Sequence, residues 1–347
     1  MRILVSYPGH CISTFDVARG WHMALQKLGH EVYHMNYEFN VPFYGAVCDY
    51  WVERNPDFRP TMYDVFWLAS QDLICKAIDC MPLDFVLIVT GLLHHPRVFE
   101  HFKKLEIPTV LIFTESPYND EMLADILPLP NVVFSNDLNS VEPFREVNPN
   151  SYYMPHSYNP EVHHPPDGEL LAEEYKHEVF FLGSLYEERK ALFEELALNY
   201  KGSARLDIIG TSMDTKGRMT GEMINDELIK HYWGSKIVLS PNRTTADYFA
   251  KTQIEEEAWS LGPRVYEVAA CGAFQVTDNS RAELREVFGD VIPIYRDGAG
   301  LAQIVAYFLQ EEDHRRELAR QARERVKPCT FENRAQNILF PTLREVL

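Results

Sequence analysis

Positive charge is in short supply in this chain. Its 33 Lys and Arg stand against 51 Asp and Glu, for a formal net charge of -18 over 347 residues. Phosphate neutralisation dominates nucleic-acid binding, so this balance argues against a broad basic face for nucleic acid, though not against a local basic groove. Cysteine is sparse too. The six cysteines (Cys11, Cys48, Cys75, Cys80, Cys271, Cys329) show no Cys-x-x-Cys spacing. They read as thiols of a reducing compartment, not as a zinc site or a disulfide frame. No apolar run is long enough to span a membrane. No signal-peptide pattern precedes the strand-like run Arg2 to Ser6, so a cytoplasmic protein is expected. A Gly-x-Gly-x-x-Gly turn is also missing. The first turn, Tyr7-Pro8-Gly9-His10-Cys11-Ile12-Ser13-Thr14, has one glycine, which disfavours a nicotinamide enzyme.

What is present is an alternation of strand and helix signals. Composition is ordinary for a globular protein, at 46% hydrophobic and 24% charged. Ile3 to Ser6 reads as a buried strand, Asp16 to Leu28 as a helix ended by Gly29, and Glu31 to Met35 as a second strand. This βαβ opening predicts a parallel sheet with both faces covered. Strands follow at Asp84 to Thr90, Thr109 to Thr114, Asn131 to Ser135 and Tyr152 to Met154. Asn40 to Tyr63 is aromatic and reads as irregular, either an insertion lining a pocket or a packed surface loop. Prolines and polar residues from Met154 to Pro166 mark an interdomain linker, with His163 and His164 expected at the surface. The topology then restarts with a strand at Val179 to Leu182, a helix at Glu187 to Leu198, and strands at Arg205 to Gly210 and Lys236 to Leu239. The expected domains are 1–155, 156–330 and a C-terminal helix segment 331–347, with one large α/β domain as the alternative.

The most informative stretch runs from Gly262 to Asp278. It predicts a turn at Gly262-Pro263, a short apolar helix, Gly272 at the positive-φ position after the helix, and a buried strand from Ala273. Arg264 and Glu267 interrupt its apolar character. A carboxylate just inside a helix N-terminus suits the hydroxyls of a sugar diol. The helix N-terminus and Arg264 suit an anion such as a diphosphate.

This stretch resembles the nucleotide-sugar-binding segment of glycosyltransferases with two Rossmann-like domains facing across a cleft, the GT-B fold. The bacterial and phage group with spore-maturation-type C-terminal domains carries a similar Arg-x-Phe/Tyr-Glu-x-x-Ala-x-Gly. The resemblance implies that Glu267 accepts hydrogen bonds from the donor ribose. It extends to Phe181-x-Gly183-Ser184 with Arg189, to the Lys236 to Arg243 stretch, and to Phe331-x-x-Arg334. It thereby assigns Gly183, Ser184, Arg189, Gly210, Asn242, Arg243 and Arg264 to donor binding, with Arg243 and Arg264 on the diphosphate. Many retaining members carry a second Glu eight residues before the first; here that position is Trp259. In several inverting members a Pro-x-Gly-His turn supplies the base, which makes His10 the candidate, Asp16 its orienting partner or a helix cap, and Glu115 the alternative base.

The family usually works without a bound metal or cofactor, and the chain shows no Asp-x-Asp motif. His94 and His95 lack a spaced partner for zinc. A UDP-sugar is the donor the family favours. The acceptor would be a hydroxyl on a cell-surface glycan, a natural product or a hydroxymethylated phage DNA base, the last disfavoured by charge. A non-catalytic sugar-nucleotide-binding protein and a UDP-sugar epimerase are the alternatives.

Overall fold

The computed structural model describes residues 1–9, 14–55, 57–167, 176–213, 219–220, 225–244 and 257–347. They form two units: Met1–Pro155 together with Phe331–Leu347, and His156–Thr330. Among the described residues no helix is long and apolar enough to cross a membrane.

The first unit runs β1 (Arg2–Tyr7), α1 (Phe15–Lys27), β2 (Glu31–Asn36), α2 (Tyr37–Arg54), α3 (Met62–Asp79), β3 (Phe85–Val89), α4 (Arg97–Lys104), β4 (Thr109–Phe113), β5 (Val132–Ser135), α5 (Val141–Val147) and β6 (Ser151–Tyr153). Its strands form one sheet in the order β2-β1-β3-β4-β5-β6. Every neighbouring pair is parallel. Phe-Val-Leu-Ile-Val in β3 and Thr-Val-Leu-Ile-Phe in β4 are buried throughout, as strands covered on both faces require. One face packs on Val17, Trp21, Ala24 and Leu25 of α1. The other packs on Ala69, Leu73 and Ala77 of α3 and on Val98, Phe99 and Phe102 of α4.

Residues 40–54 and 62–63 are helical. They complete α2 and begin α3. Asn36 caps α2 by accepting from the Glu38 N–H, at 3.0 Å. Thr61 and Asp64 form a reciprocal capping box at the start of α3. The aromatic residues conceal the helix because they follow its outer side. Phe39, Phe43, Tyr50 and Trp51 are exposed, while Tyr37 and Cys48 are buried.

The second unit runs β7 (His177–Ser184), α6 (Glu187–Asn199), β8 (Leu206–Met213), β9 (Met219–Thr220), α7 (Asn225–Trp233), β10 (Ser235–Leu239), α8 (Pro263–Ala270), β11 (Gln275–Asp278), α9 (Glu283–Phe288), β12 (Ile294–Tyr295), α10 (Gly298–Gln310) and α11 (Glu312–Val326). The strand order is β12-β11-β10-β7-β8-β9, parallel except for the β8–β9 pair. Gly272 has φ +71 directly after the α8 C-cap, and its N–H reaches Ala269 O at 3.0 Å. That is the left-handed residue the sequence predicts there.

The chain returns to the first unit through α12 (Phe331–Arg334), a π-helical turn at Ala335–Leu339, and α13 (Phe340–Val346). Phe331 lies against Trp21, ring centroids 5.4 Å apart. A Cβ on Gly20 would sit 2.2 Å from the Phe331 ring, so Gly20 is the notch into which the ring fits. Lys27 pairs with Glu332 at 3.2 Å beside it. Phe331→Ala is therefore expected to remove about 3–5 kcal/mol from the first unit. Urea unfolding should show the loss, with faster amide exchange in α1; an unchanged transition would place Phe331 outside the core.

Candidate functional site

The site is built at the C-terminal strand edge of the second unit, where open α/β sheets take their ligands. β7 ends at Gly183-Ser184, and α8 opens at Gly262 with Pro263 in its first turn. Arg264 leaves that first turn and crosses the end of β7. Its Nη2 donates to Leu182 O at 2.5 Å, and the guanidinium lies 4.8 Å from the Phe181 ring centre. Gly183 has φ +155, and a Cβ there would meet Arg264 Nη2 at 2.4 Å. The glycine is what lets the arginine across.

Two further arginines gather nearby. Arg189 donates to Ser184 O at 2.9 Å and to Pro241 O at 3.0 Å, tying the loop after β7 to the loop after β10. Burial, with Arg264 alongside, pulls its guanidinium down to about 10, still charged at neutral pH. Arg189 and Arg243 both lie over the Tyr186 ring, at 5.2 and 4.9 Å. Ring quadrupoles offset part of the repulsion among such cations. Buried Arg281 holds the Arg243 carbonyl through its own guanidinium. Neither Tyr186 nor Arg281 belongs to the sequence motif. Their signals were an aromatic next to the Gly-Ser turn and an arginine just past the end of β11.

Asn242 and Gly210 have structural explanations. The Asn242 carboxamide donates to Thr277 Oγ1 at 3.3 Å and Asp278 Oδ1 at 3.0 Å, and its N–H to Asp278 Oδ2 at 2.7 Å. These bonds brace β10 against β11. Gly210 stands opposite Gly183 in the β7–β8 register. A Cβ on it would lie 2.2 Å from Leu185 Cδ1, so a side chain of the protein itself fills that space.

Glu267 sits one turn beyond Arg264 and is 12% exposed at its side chain. Its neighbour is His163, which is buried and not at the surface; His163 Nε2 lies 3.9 Å from Glu267 Oε1. The Asn159 N–H donates to His163 Nδ1 at 3.3 Å. In the neutral ring the proton therefore resides on Nε2, facing the carboxylate. The adjacent His164 is also half-buried, and its carbonyl accepts from Trp233 Nε1 at 2.6 Å. Tyr232 completes this wall, its phenol pushed up by burial and by Glu267 against the opposing pull of Arg264. The loop leading into α8 is anchored by buried Glu283, whose Oε2 accepts from Leu261 N at 2.7 Å.

In the first unit His10 lies outside the described residues. Asp16 occupies the first turn of α1 and pairs with Arg19 at 3.8 Å. Glu115 is half-buried in a firmly held loop after β4. There Asn136 Oδ1 accepts from Ser116 N at 2.9 Å, and Ser116 Oγ donates to Asp120 at 2.6 Å. His94 is buried and its Nε2 lies 2.8 Å from Ser6 Oγ. Among the described residues no group of three or more His, Cys, Asp or Glu is placed to hold a metal ion.

Residues 188–339 match a family model described as Glycosyl transferase-like. The match covers most of the second unit and runs on into the returning C-terminal helices. The chain is 21% identical to the spore protein CgeB of Bacillus subtilis over 83% of its own length and 93% of that protein. Sucrose-phosphate synthase of Thermosynechococcus elongatus superposes with TM-score 0.63 at 12% identity, covering 100% of both chains. Anabaena HepE in complex with UDP-glucose gives TM-score 0.58 at 10% identity, covering 98% of this chain and 100% of that one. The fold is GT-B, with two Rossmann-like domains. Arg189, Arg243, Arg264 and Glu267 all fall in the glycosyltransferase-like segment. Gly183 and Ser184 lie a few residues before it.

One group near the first unit's loops has a titration that can be read directly. Burial pulls the His94 imidazole from 6.5 down to about 3. A folded value below the unfolded one means the fold favours the neutral ring. The stabilising contribution is complete above pH 6.5 and is lost as pH falls from there toward 3. His94→Gln should remove up to about 1.4 kcal/mol per pH unit from the acid slope of stability. Urea midpoints measured between neutral and mildly acid pH test this; an identical slope would show that another group sets it.

Proposed function

We propose that the protein transfers a sugar from a nucleotide diphosphate, with a UDP-sugar favoured, to an acceptor hydroxyl. The observation that carries this reading is the guanidinium crossing Gly183 at the N-terminus of α8, with Glu267 one turn further on. A helix N-terminus and a fixed guanidinium suit a diphosphate, and a carboxylate beside them suits ribose hydroxyls. The UDP-glucose complex of the similarly folded HepE supports the choice of nucleotide.

On this reading the acceptor oxygen attacks the anomeric carbon as the bond from that carbon to the diphosphate oxygen breaks. The leaving diphosphate gains charge, which Arg264, Arg243 and the α8 dipole offset. These fixed positive groups lead us to infer a metal-independent reaction. Arg189 holds the two strand-end loops in register, and Asn242 braces the sheet beneath them; both act through structure. His10 takes the acceptor proton, with Glu115 the alternative. Trp259 in place of a second Glu favours inversion of the anomeric configuration. The same departure favours a second reading, a binding protein without turnover, which would bind nucleotide but release no free nucleoside diphosphate with any acceptor.

Titration calorimetry with UDP, GDP, ADP and dTDP should give one preferred nucleotide. Glu267→Ala should weaken that nucleotide's binding by about 1–3 kcal/mol, as expected for lost charge-assisted hydrogen bonds. Full affinity in the folded variant would remove Glu267 from the site. Arg264→Ala should weaken the diphosphate far more than the corresponding nucleoside; equal losses on both would remove it from the diphosphate.

A further inference from the structure

The second unit has another concentration of positive charge at the opposite edge of its sheet. A basin of about 500 Å³ opens beside the N-terminal ends of β10 and β11. Lys176, Lys236, Arg316, Arg320 and Arg323 line it against one carboxylate, Glu312. This reverses the balance of a chain in which 51 acids outnumber 33 bases. Arg315 also borders the basin but is buried and donates inward to Phe308 O.

Arg316, Arg320 and Arg323 recur at spacings of four and three along α11 and so share one helix face, over about 10 Å. Arg316 is held by Glu312 at 2.5 Å and Arg320 by Glu317 at 2.7 Å, both exposed pairs within the helix. Lys236 pairs with Glu178 at 3.3 Å, also exposed. The Arg320 pair is bidentate, its Nε also donating to Glu317 at 2.9 Å. Exposed ion pairs are screened by solvent, so a multivalent anion can compete with the carboxylates. Among the described residues Arg323 makes no hydrogen bond or ion pair. Helix dipoles explain part of the arrangement. α7 and α8 end at this edge, and cations complement their carbonyl ends. That accounts for Lys236, close after α7, and for Arg323, whose Cδ would lie 3.7 Å from a Cβ on Gly272. It does not account for Arg316 and Arg320.

The geometry points to a second anion site that binds a compact polyphosphate. Its volume is on the small-molecule scale, and planar guanidiniums grip phosphate through paired N–H groups. Half-buried Trp233 borders the basin, a place for a nucleoside attached to the phosphates. The basin lies at the other end of β7 from Gly183, about 20 Å away along the strand. Its occupant therefore does not compete for the site around Arg264.

The test is titration of tripolyphosphate, ATP and adenosine into the full chain at low and moderate salt. Tripolyphosphate and ATP should bind, more weakly as salt rises, and adenosine alone should not. ATP binding more tightly than tripolyphosphate identifies a nucleoside polyphosphate; equal affinity identifies the bare phosphate chain. The combined Arg316→Gln, Arg320→Gln and Arg323→Gln variant should lose at least tenfold in affinity while its UDP affinity stays unchanged. Arg320→Gln and Arg323→Gln alone should each show part of the loss, should the combined variant fail to fold. Undiminished binding in these variants, no binding by the wild type, or loss of tripolyphosphate binding in Arg264→Ala would overturn the proposal. So would tighter binding per charge by heparin or duplex DNA, which would make the basin a polymer surface.

Discussion

A guanidinium crossing a strand end is the constraint on which the second unit's ligand edge depends. Arg264 can reach Leu182 O only because residue 183 has no side chain. Its position is set from α8, whose entry loop is fixed by the Glu283 carboxylate. Arg189 then ties the ends of β7 and β10 together, and Asn242 ties β10 to β11. Several buried polar interactions thus converge on one result, a rigid edge where three guanidiniums gather. In a chain of net charge -18 this is a local gathering of positive charge. Such an edge is preorganised for an anion, because the like-charge cost is met during folding and not at binding.

Much of this was legible in the sequence for a simple reason. Parallel strands buried on both faces must be nearly continuous apolar runs, and β3, β4 and β7 are such runs. The Gly262 to Asp278 segment was equally readable, because each of its local requirements has a residue type that meets it. Pro263 starts the helix and Gly272 takes the positive φ after it. The α2–α3 region was misread because its large apolar residues point outward. Aromatic content suggested packing, while the information that mattered lay in the caps, Asn36 and the Thr61–Asp64 box.

Site residues were less legible than the fold because residue type does not separate contact from support. Asn242 and Arg189 lie in motifs that resemble donor contacts, and the same side chains also hold the fold, Asn242 through Asp278 and the two Arg189 Nη atoms through Ser184 and Pro241. Gly210 resembles a close-approach glycine, and the approach it permits is that of Leu185. His163 shows the converse. A proline-rich linker reads as surface, and nothing in its composition says that one imidazole turns inward toward Glu267. Only tertiary placement separates it from His164 beside it. The hydrogen bond from Asn159 then decides its tautomer, a detail with no sequence signal.

The two positively charged edges of the second unit are joined by β7, β10 and α8, and α8 carries charge-bearing residues at one end and borders the basin at the other. Its first turn carries Arg264, and its C-terminal end, Cys271-Gly272, borders the basin. The helix is eight residues long, so its ends are about 12 Å apart. That exceeds the screening length of about 8 Å at physiological salt, so direct charge–charge coupling between the two edges is weak. The dipole effect at each end also fades within a turn. Communication between the edges would therefore have to be mechanical, a shift of α8 along its axis. Buried Val265, Tyr266, Val268 and Ala269 oppose such a shift by packing on two cores at once. The geometry thus favours two independent anion sites over a coupled pair, because α8 is held by two cores at once.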